Sequence, residues 1–210
     1  MRKKKFDGSI SEIMVAYQPN QELDFGPVRK MVEFQIKNGI DGLFMGGLST
    51  QTYLLTMEEK RRVGEELCNA AAGRVPVMMN VMEDSIKNAK QLVQDYMDIG
   101  VDAVCISQPS VFPYTEQALV EFFDEVIPED YPTYIYNVPQ TGNTMSPRTV
   151  ARIANAHPNV LSHSWRTSFG TLRARTPDAE GRLSDRPARR RSYPDTAAGR
   201  TVRQWAYCRP

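Results

Sequence analysis

Two ten-residue stretches decide the fold: "IKNGIDGLFM" at residues 36–45 and "MDIGVDAVCI" at residues 97–106. Each reads as the end of a helix, a glycine, and then an apolar strand. Gly39 and Gly100 stand where a helix stops in the left-handed region, which a residue without Cβ enters at no steric cost. A junction that recurs at the same place in two units marks a repeat of helix and strand. Apolar strands without polar alternation point to a parallel sheet.

Outward from these junctions, strand-like runs recur: "EIMVAY" (12–17), "DGLFMG" (41–46), "VPVMMNV" (75–81), "DAVCIS" (102–107), "PTYIYNV" (132–138) and "NVL" (159–161). Their starts are spaced by roughly 30 residues, the length of one strand–helix unit. Helical patterns fill the gaps at 26–38, 57–72, 84–98 and 115–126. Thr56 and Glu59 have the spacing of a capping box, Thr115 precedes the fourth helix, and Asp84 or Ser85 caps the third. Two architectures fit, an open doubly wound α/β sheet and a closed (β/α)8 TIM barrel. No Gly-rich phosphate loop follows the first strand, which disfavours a dinucleotide site. A full barrel needs about 250 residues. Five units and the start of strand 6 fit before residue 162.

The chain has 210 residues and a net charge of +1, which hides an asymmetry. Residues 162–210 hold eleven arginines, no lysine and four acids, a net charge of +7; the remainder holds fifteen bases against twenty-one acids, −6. Low hydrophobicity with many Arg, Pro, Gly and Ser is the composition of a disordered segment. The sequence therefore predicts a partial barrel over 1–161 and an aberrant or disordered basic tail over 162–210. Cys68, Cys105 and Cys208 lack metal-ligand spacing. The basic start "MRKKKFDGS" has no apolar segment behind it, and no run is long enough to span a membrane. The expectation is a cytoplasmic protein.

In parallel α/β folds the chemistry sits at the carboxyl ends of the strands. Strand 2 ends in "GGLSTQ", where Gly46, Gly47, Ser49 and Thr50 form either a turn that holds a carboxylate or phosphate, or a plain turn with hydroxyl caps. Strand 4 ends in "SQPSVFPYT", with Tyr114 in the loop. On strand 5 alternation puts Tyr134 and Tyr136 on one face, with Thr133 and Ile135 on the other. A tyrosine there either moves protons in a barrel mouth or packs a core. His157 reads as part of a loop. The sequence has no Cys/His cluster and no nucleophile elbow. Glu58–Arg62 and Glu65–Asn69 read as solvated helix faces.

The stretches "NGIDGLFMGG", "LLTMEEKRRV", "GRVPVMMNV", "IGVDAVCISQPSVFPYTEQALVEFF", "YPTYIYNVPQTGN" and "SPRTVARIANAHPNVL" follow one another as in a known family. Over about residues 7–161 the chain resembles the dihydrodipicolinate synthase and N-acetylneuraminate lyase family, pyruvate-handling class I aldolases. The resemblance implies the barrel rather than the open sheet. It implies a lyase that needs no cofactor or metal and takes a small 2-oxo acid. A strand 6 lysine, desolvated so that its amine is free, forms a Schiff base with the substrate. The strand 5 tyrosine, matching Tyr136, relays protons. The turn matching Gly47, Ser49 and Thr50 holds the substrate carboxylate.

The chain also departs from the family pattern. Leu48 replaces one hydroxyl of the turn, and Thr50 and Gln51 stand for its Gly and Glu. Ser110 and Val111 replace a tyrosine that extends the relay. Gln140 and Thr141 replace an arginine for a second carboxylate, which argues against dihydrodipicolinate synthase activity itself. After "HPNVL" the family continues Gly, Ile, Lys. Here "SHSWRTS" follows, and Arg166 forms no such imine because its guanidinium stays protonated. These departures predict a chain inactive as written, truncated or shifted in reading frame. Strands 1 and 6 are expected as open edges, with order ending near residue 161 and no stable homo-tetramer. The alternative is a non-catalytic binding protein that uses a carboxylate pocket or, through "RPARRRS", an Arg-rich tail for RNA or another polyanion; nucleic acid is the less favoured partner.

Overall fold

A computed structural model describes Phe6, residues 8–167 and residues 170–173, with side chains up to Leu161. The chain divides into units of residues 1–176 and 177–210, the second of which lies outside the described residues. The first unit alternates strand and helix: β1 (Ile10–Glu12), α1 (Phe25–Lys37), β2 (Gly42–Met45), α2 (Met57–Ala71), β3 (Val77–Val81), α3 (Ile86–Ile99), β4 (Ala103–Ser107), α4 (Glu116–Val126), β5 (Thr133–Asn137), α5 (Pro147–Ala156), β6 (Val160–Thr167) and β7 (Gly170–Arg173). The strands form one sheet in sequence order. β1 to β6 are parallel, and β7 returns antiparallel on β6.

Local chemistry explains the boundaries. Side chains of Asp24, Thr56, Ser85, Thr115 and Ser146 each accept a backbone N–H in the first turn of the helix they precede. Thr56 and Glu59 close the capping box in both directions. Gly39 and Gly100 adopt φ of +79° and +84°, which stops α1 and α3 and turns the chain into β2 and β4.

The sheet has two apolar faces. Leu43, Met45, Met79, Val104, Ile106 and Ile135 point outward into the main core, which also holds Val32, Leu67, Leu92 and Phe123 of the helices. Truncating one of these to Ala costs about 2–5 kcal/mol. Met78, Met82, Ala103, Cys105 and Tyr136 form a second cluster on the inner face, with Phe6, Phe44, Leu48 and Tyr134 against it. This is the predicted alternation of β5, with Tyr134 and Tyr136 opposite Ile135.

Two expectations are corrected. The first strand lies at 10–12, not 12–17. Ile13 still donates to the Phe44 carbonyl at 2.8 Å, but Tyr17 pairs with Leu23, so the second half of the apolar run enters a tight turn. Strand 6 does not stop at Leu161. It runs to Thr167 against β5, and β7 pairs with its other edge, so β6 is no open edge. The pairing partners are backbone groups, which β5 offers whatever the apolarity of 162–167. A disordered tail is expected over 162–210; residues 162–167 and 170–173 of it are strand, and 168–169 and 174–210 lie outside the described residues. Among those described, no helix is long and apolar enough to cross a membrane, and no three acidic, His or Cys side chains form a metal group.

Candidate active site at the carboxyl ends of β2 to β6

The turn after β2 is pinned at its first residue. Gly46 has φ of +95°, and a Cβ there would lie 2.9 Å from the Asn80 carbonyl oxygen. Its N–H donates to Thr50 Oγ1 at 3.0 Å, and that hydroxyl donates to the Ile13 carbonyl at 3.0 Å. Its carbonyl accepts from Asn80 Nδ2 at 3.0 Å. Thr50 and Asn80 are fully buried. Gly47 is also crowded: a Cβ there would lie 2.5 Å from Glu12 Oε1 and 3.0 Å from the Phe44 ring. Ser49 is half-buried within the turn, and Gln51 closes it with φ of +55°.

The phenol lies on the inner face nearby. Tyr136 is buried, and its ring meets Phe44 edge to face at 5.8 Å between centroids. Leu48 of the turn packs on the same cluster, so the fold brings Tyr136 and the turn together. In the sheet Tyr136 is level with Ser107 of β4 on one side and Ser164 of β6 on the other. Ser107 Oγ donates to Asn80 Oδ1 at 3.1 Å. One step down β5, burial raises the Tyr134 phenol above its usual value of 10.0. Cys105, also on the inner face, is held as the neutral thiol by full burial.

Side-chain amides set the loops around this mouth, and no pattern in the sequence marks them. Gln108 donates to the carbonyls of Val138 and Asn143 and accepts from Val138 N–H. Asn143 donates to Pro109 and Phe112 and accepts from Tyr114 N–H. Asn137 closes on both backbone groups of Met145. Asp84 accepts from the Ser110 N–H and hydroxyl rather than capping α3. Their partners are backbone atoms or loop residues, so no periodicity announces them; only the placement of Asn and Gln just past strand ends could have.

The remaining polar groups lie elsewhere. His157 caps the end of α5 and contacts Asp124 of α4 at 2.8 Å. Arg61, rather than Arg62, makes the surface pairs of α2, with Glu58 and Glu65, while Arg62 sits 5.6 Å over the Phe25 ring. Lys60 is buried and paired with Glu83. The described lysines, Lys30, Lys37, Lys60, Lys87 and Lys90, all lie on helices.

Residues 5–173 match the model of the Dihydrodipicolinate synthetase family. The chain is 32% identical over 155 residues to a 4-hydroxy-tetrahydrodipicolinate synthase of Hydrogenobaculum sp. (strain Y04AAS1), covering 73% of this chain and 53% of that protein. It is 32% identical over 182 residues to the enzyme of the same name from Acidobacterium capsulatum, covering 82% and 59%. The chain thus spans a little over half the length of these curated relatives. Among solved structures, dihydrodipicolinate synthase from Aquifex aeolicus superposes with a TM-score of 0.72 at 27% identity, over 78% of this chain and 56% of that one. A prophage protein of the dihydrodipicolinic acid synthase family from E. coli K12, solved in complex with pyruvate, gives 0.74 at 24% over 78% and 55%, a likeness of fold. Barrel-type topology, the match over most of the chain and these relatives agree: the chain belongs to the dihydrodipicolinate synthetase family.

Proposed function

We propose that this chain carries the carboxylate-holding and proton-relaying half of a Schiff-base 2-oxo acid lyase site, and that it binds such an acid without converting it. The observation that carries the reading is the register of β5 on β6, in which Tyr136 is level with Ser164. The family continuation Gly, Ile, Lys after Leu161 puts its lysine at 164. A seryl hydroxyl there cannot capture a carbonyl as an imine. Arg166 remains protonated, and the described lysines lie on helices.

What is left is binding. Ser49 and the N–H groups around Gly47 hold the carboxylate, since a turn of successive N–H groups favours an anion. Thr50 acts differently from Ser49: its hydroxyl already bridges Gly46 and Ile13, so it shapes the turn. Tyr136 stands beside the substrate carbonyl as a hydrogen-bond donor. Removing the nucleophile removes the covalent route itself, whereas losing one hydrogen bond only weakens a step.

Titration with pyruvate, followed through the backbone amides by NMR, tests this. Saturable, dialysable shifts at Gly47 and Ser49 are expected, and Ser49→Ala should weaken binding about tenfold, the worth of one charge-assisted hydrogen bond. No saturable shift, or unchanged affinity in Ser49→Ala, overturns the reading.

A further inference from the structure

We infer that Asn80 is a positioning residue of the 2-oxo acid site, acting through the turn after β2; this rests on the functional reading above. Asn80 is fully buried on β3, with both ends of its amide engaged. Nδ2 donates to the Gly46 carbonyl at 3.0 Å, and Oδ1 accepts from Ser107 Oγ at 3.1 Å. The Gly46 carbonyl can only accept, which fixes which end of the amide faces it.

The consequence is mechanical. The carbonyl of Gly46 and the N–H of Gly47 belong to one planar peptide and point in opposite directions. Holding the carbonyl on Asn80 therefore sets the direction of the Gly47 N–H, one of the donors assigned to the carboxylate. With Gly46 N–H tied to Thr50, the peptide groups on both sides of Gly46 are fixed by buried side chains. Ser107 is level with Tyr136 in the sheet, so the chain Gly46–Asn80–Ser107 ties the turn to the strand position beside the phenol. A buried amide satisfied at both ends has one low-energy orientation, which is what a positioning group needs.

Two variants test the role. Asn80→Asp removes the donor and sets a carboxylate against the Gly46 carbonyl. Ser107→Ala removes only the second partner of the amide, at Oδ1, and carries the test if Asn80→Asp does not fold. Hydrogen exchange of the amides at 46–51, relative to those of β3 and β4, should speed up about tenfold in Asn80→Asp and less in Ser107→Ala, as expected for one buried hydrogen bond. Pyruvate affinity should fall in the same order, and the effects of Asn80→Asp and Ser49→Ala should be non-additive, because both act on one turn. Unchanged relative exchange in the turn, unchanged pyruvate affinity, or strict additivity with Ser49→Ala overturns the inference while the functional reading stands. Absence of pyruvate binding to the unaltered chain overturns the functional reading, and the site role of Asn80 with it.

Discussion

Gly46 and Cys105 mark the limits of reading single residues. Gly46 was legible as a turn former because its type permits the left-handed region, and the structure places it there. What holds it was not legible, because Asn80 lies 34 residues away and looks like an interruption in an apolar run. Cys68 and Cys105 were readable as cysteines without metal-ligand spacing, and burial sets their chemistry. It pushes the Cys68 thiol up from 9.0 to about 11, with Asp102 adding to the effect. Cys105, fully buried, is shifted further in the same direction. A raised folded-state value favours the protonated native form, so this contribution to stability is complete below pH 9 and declines as pH rises toward 11. At pH 8 the folded chain should therefore resist thiol alkylation at both positions, read by peptide mass spectrometry. Cys68 should react as pH approaches 11 and Cys105 only on unfolding; rapid labelling of either at pH 8 would contradict this assignment.

At the scale of elements, the helices and strands followed their sequence signals where side-chain period and caps agreed. The Thr56–Glu59 box and the Gly39 and Gly100 stops are local chemistry, complete within a few residues. The first strand was misplaced because an apolar run shows burial but not where the ladder ends; Ile13 is buried beyond β1, and the turn that pairs Tyr17 with Leu23 follows. The loops after β4 and β5 were illegible for another reason. Asn143 joins them through Pro109, Phe112 and Tyr114, about 30 residues away in sequence. Asn143→Ala leaves three buried or half-buried backbone groups without that partner and should cost about 2–4 kcal/mol. Urea unfolding should show a lower midpoint with an unchanged slope, since the surface exposed on unfolding hardly changes. A midpoint equal to that of the unaltered chain would mean that the loops hold without it.

For the whole molecule, the repeat of strand and helix was legible because five similar units and the start of a sixth carry the same signal, and their consistency outweighs local ambiguity. The continuation of β6 past Leu161 was not, since 162–167 lacks the apolar character that marked the other strands. Backbone pairing to β5 carries it further, and in doing so brings Ser164 level with Tyr136. The proposed function turns on that register: Tyr136 and the turn after β2 lie together, and Ser164 stands where the family continuation has its lysine. The most direct measurement is the intact mass after incubation with pyruvate and borohydride, for the unaltered chain and for Ser164→Lys. The account predicts no adduct on the unaltered chain and a single reduced pyruvate adduct, mapped to residue 164, on the variant. An adduct on any lysine of the unaltered chain, or none on a Ser164→Lys chain that still binds pyruvate, would contradict it.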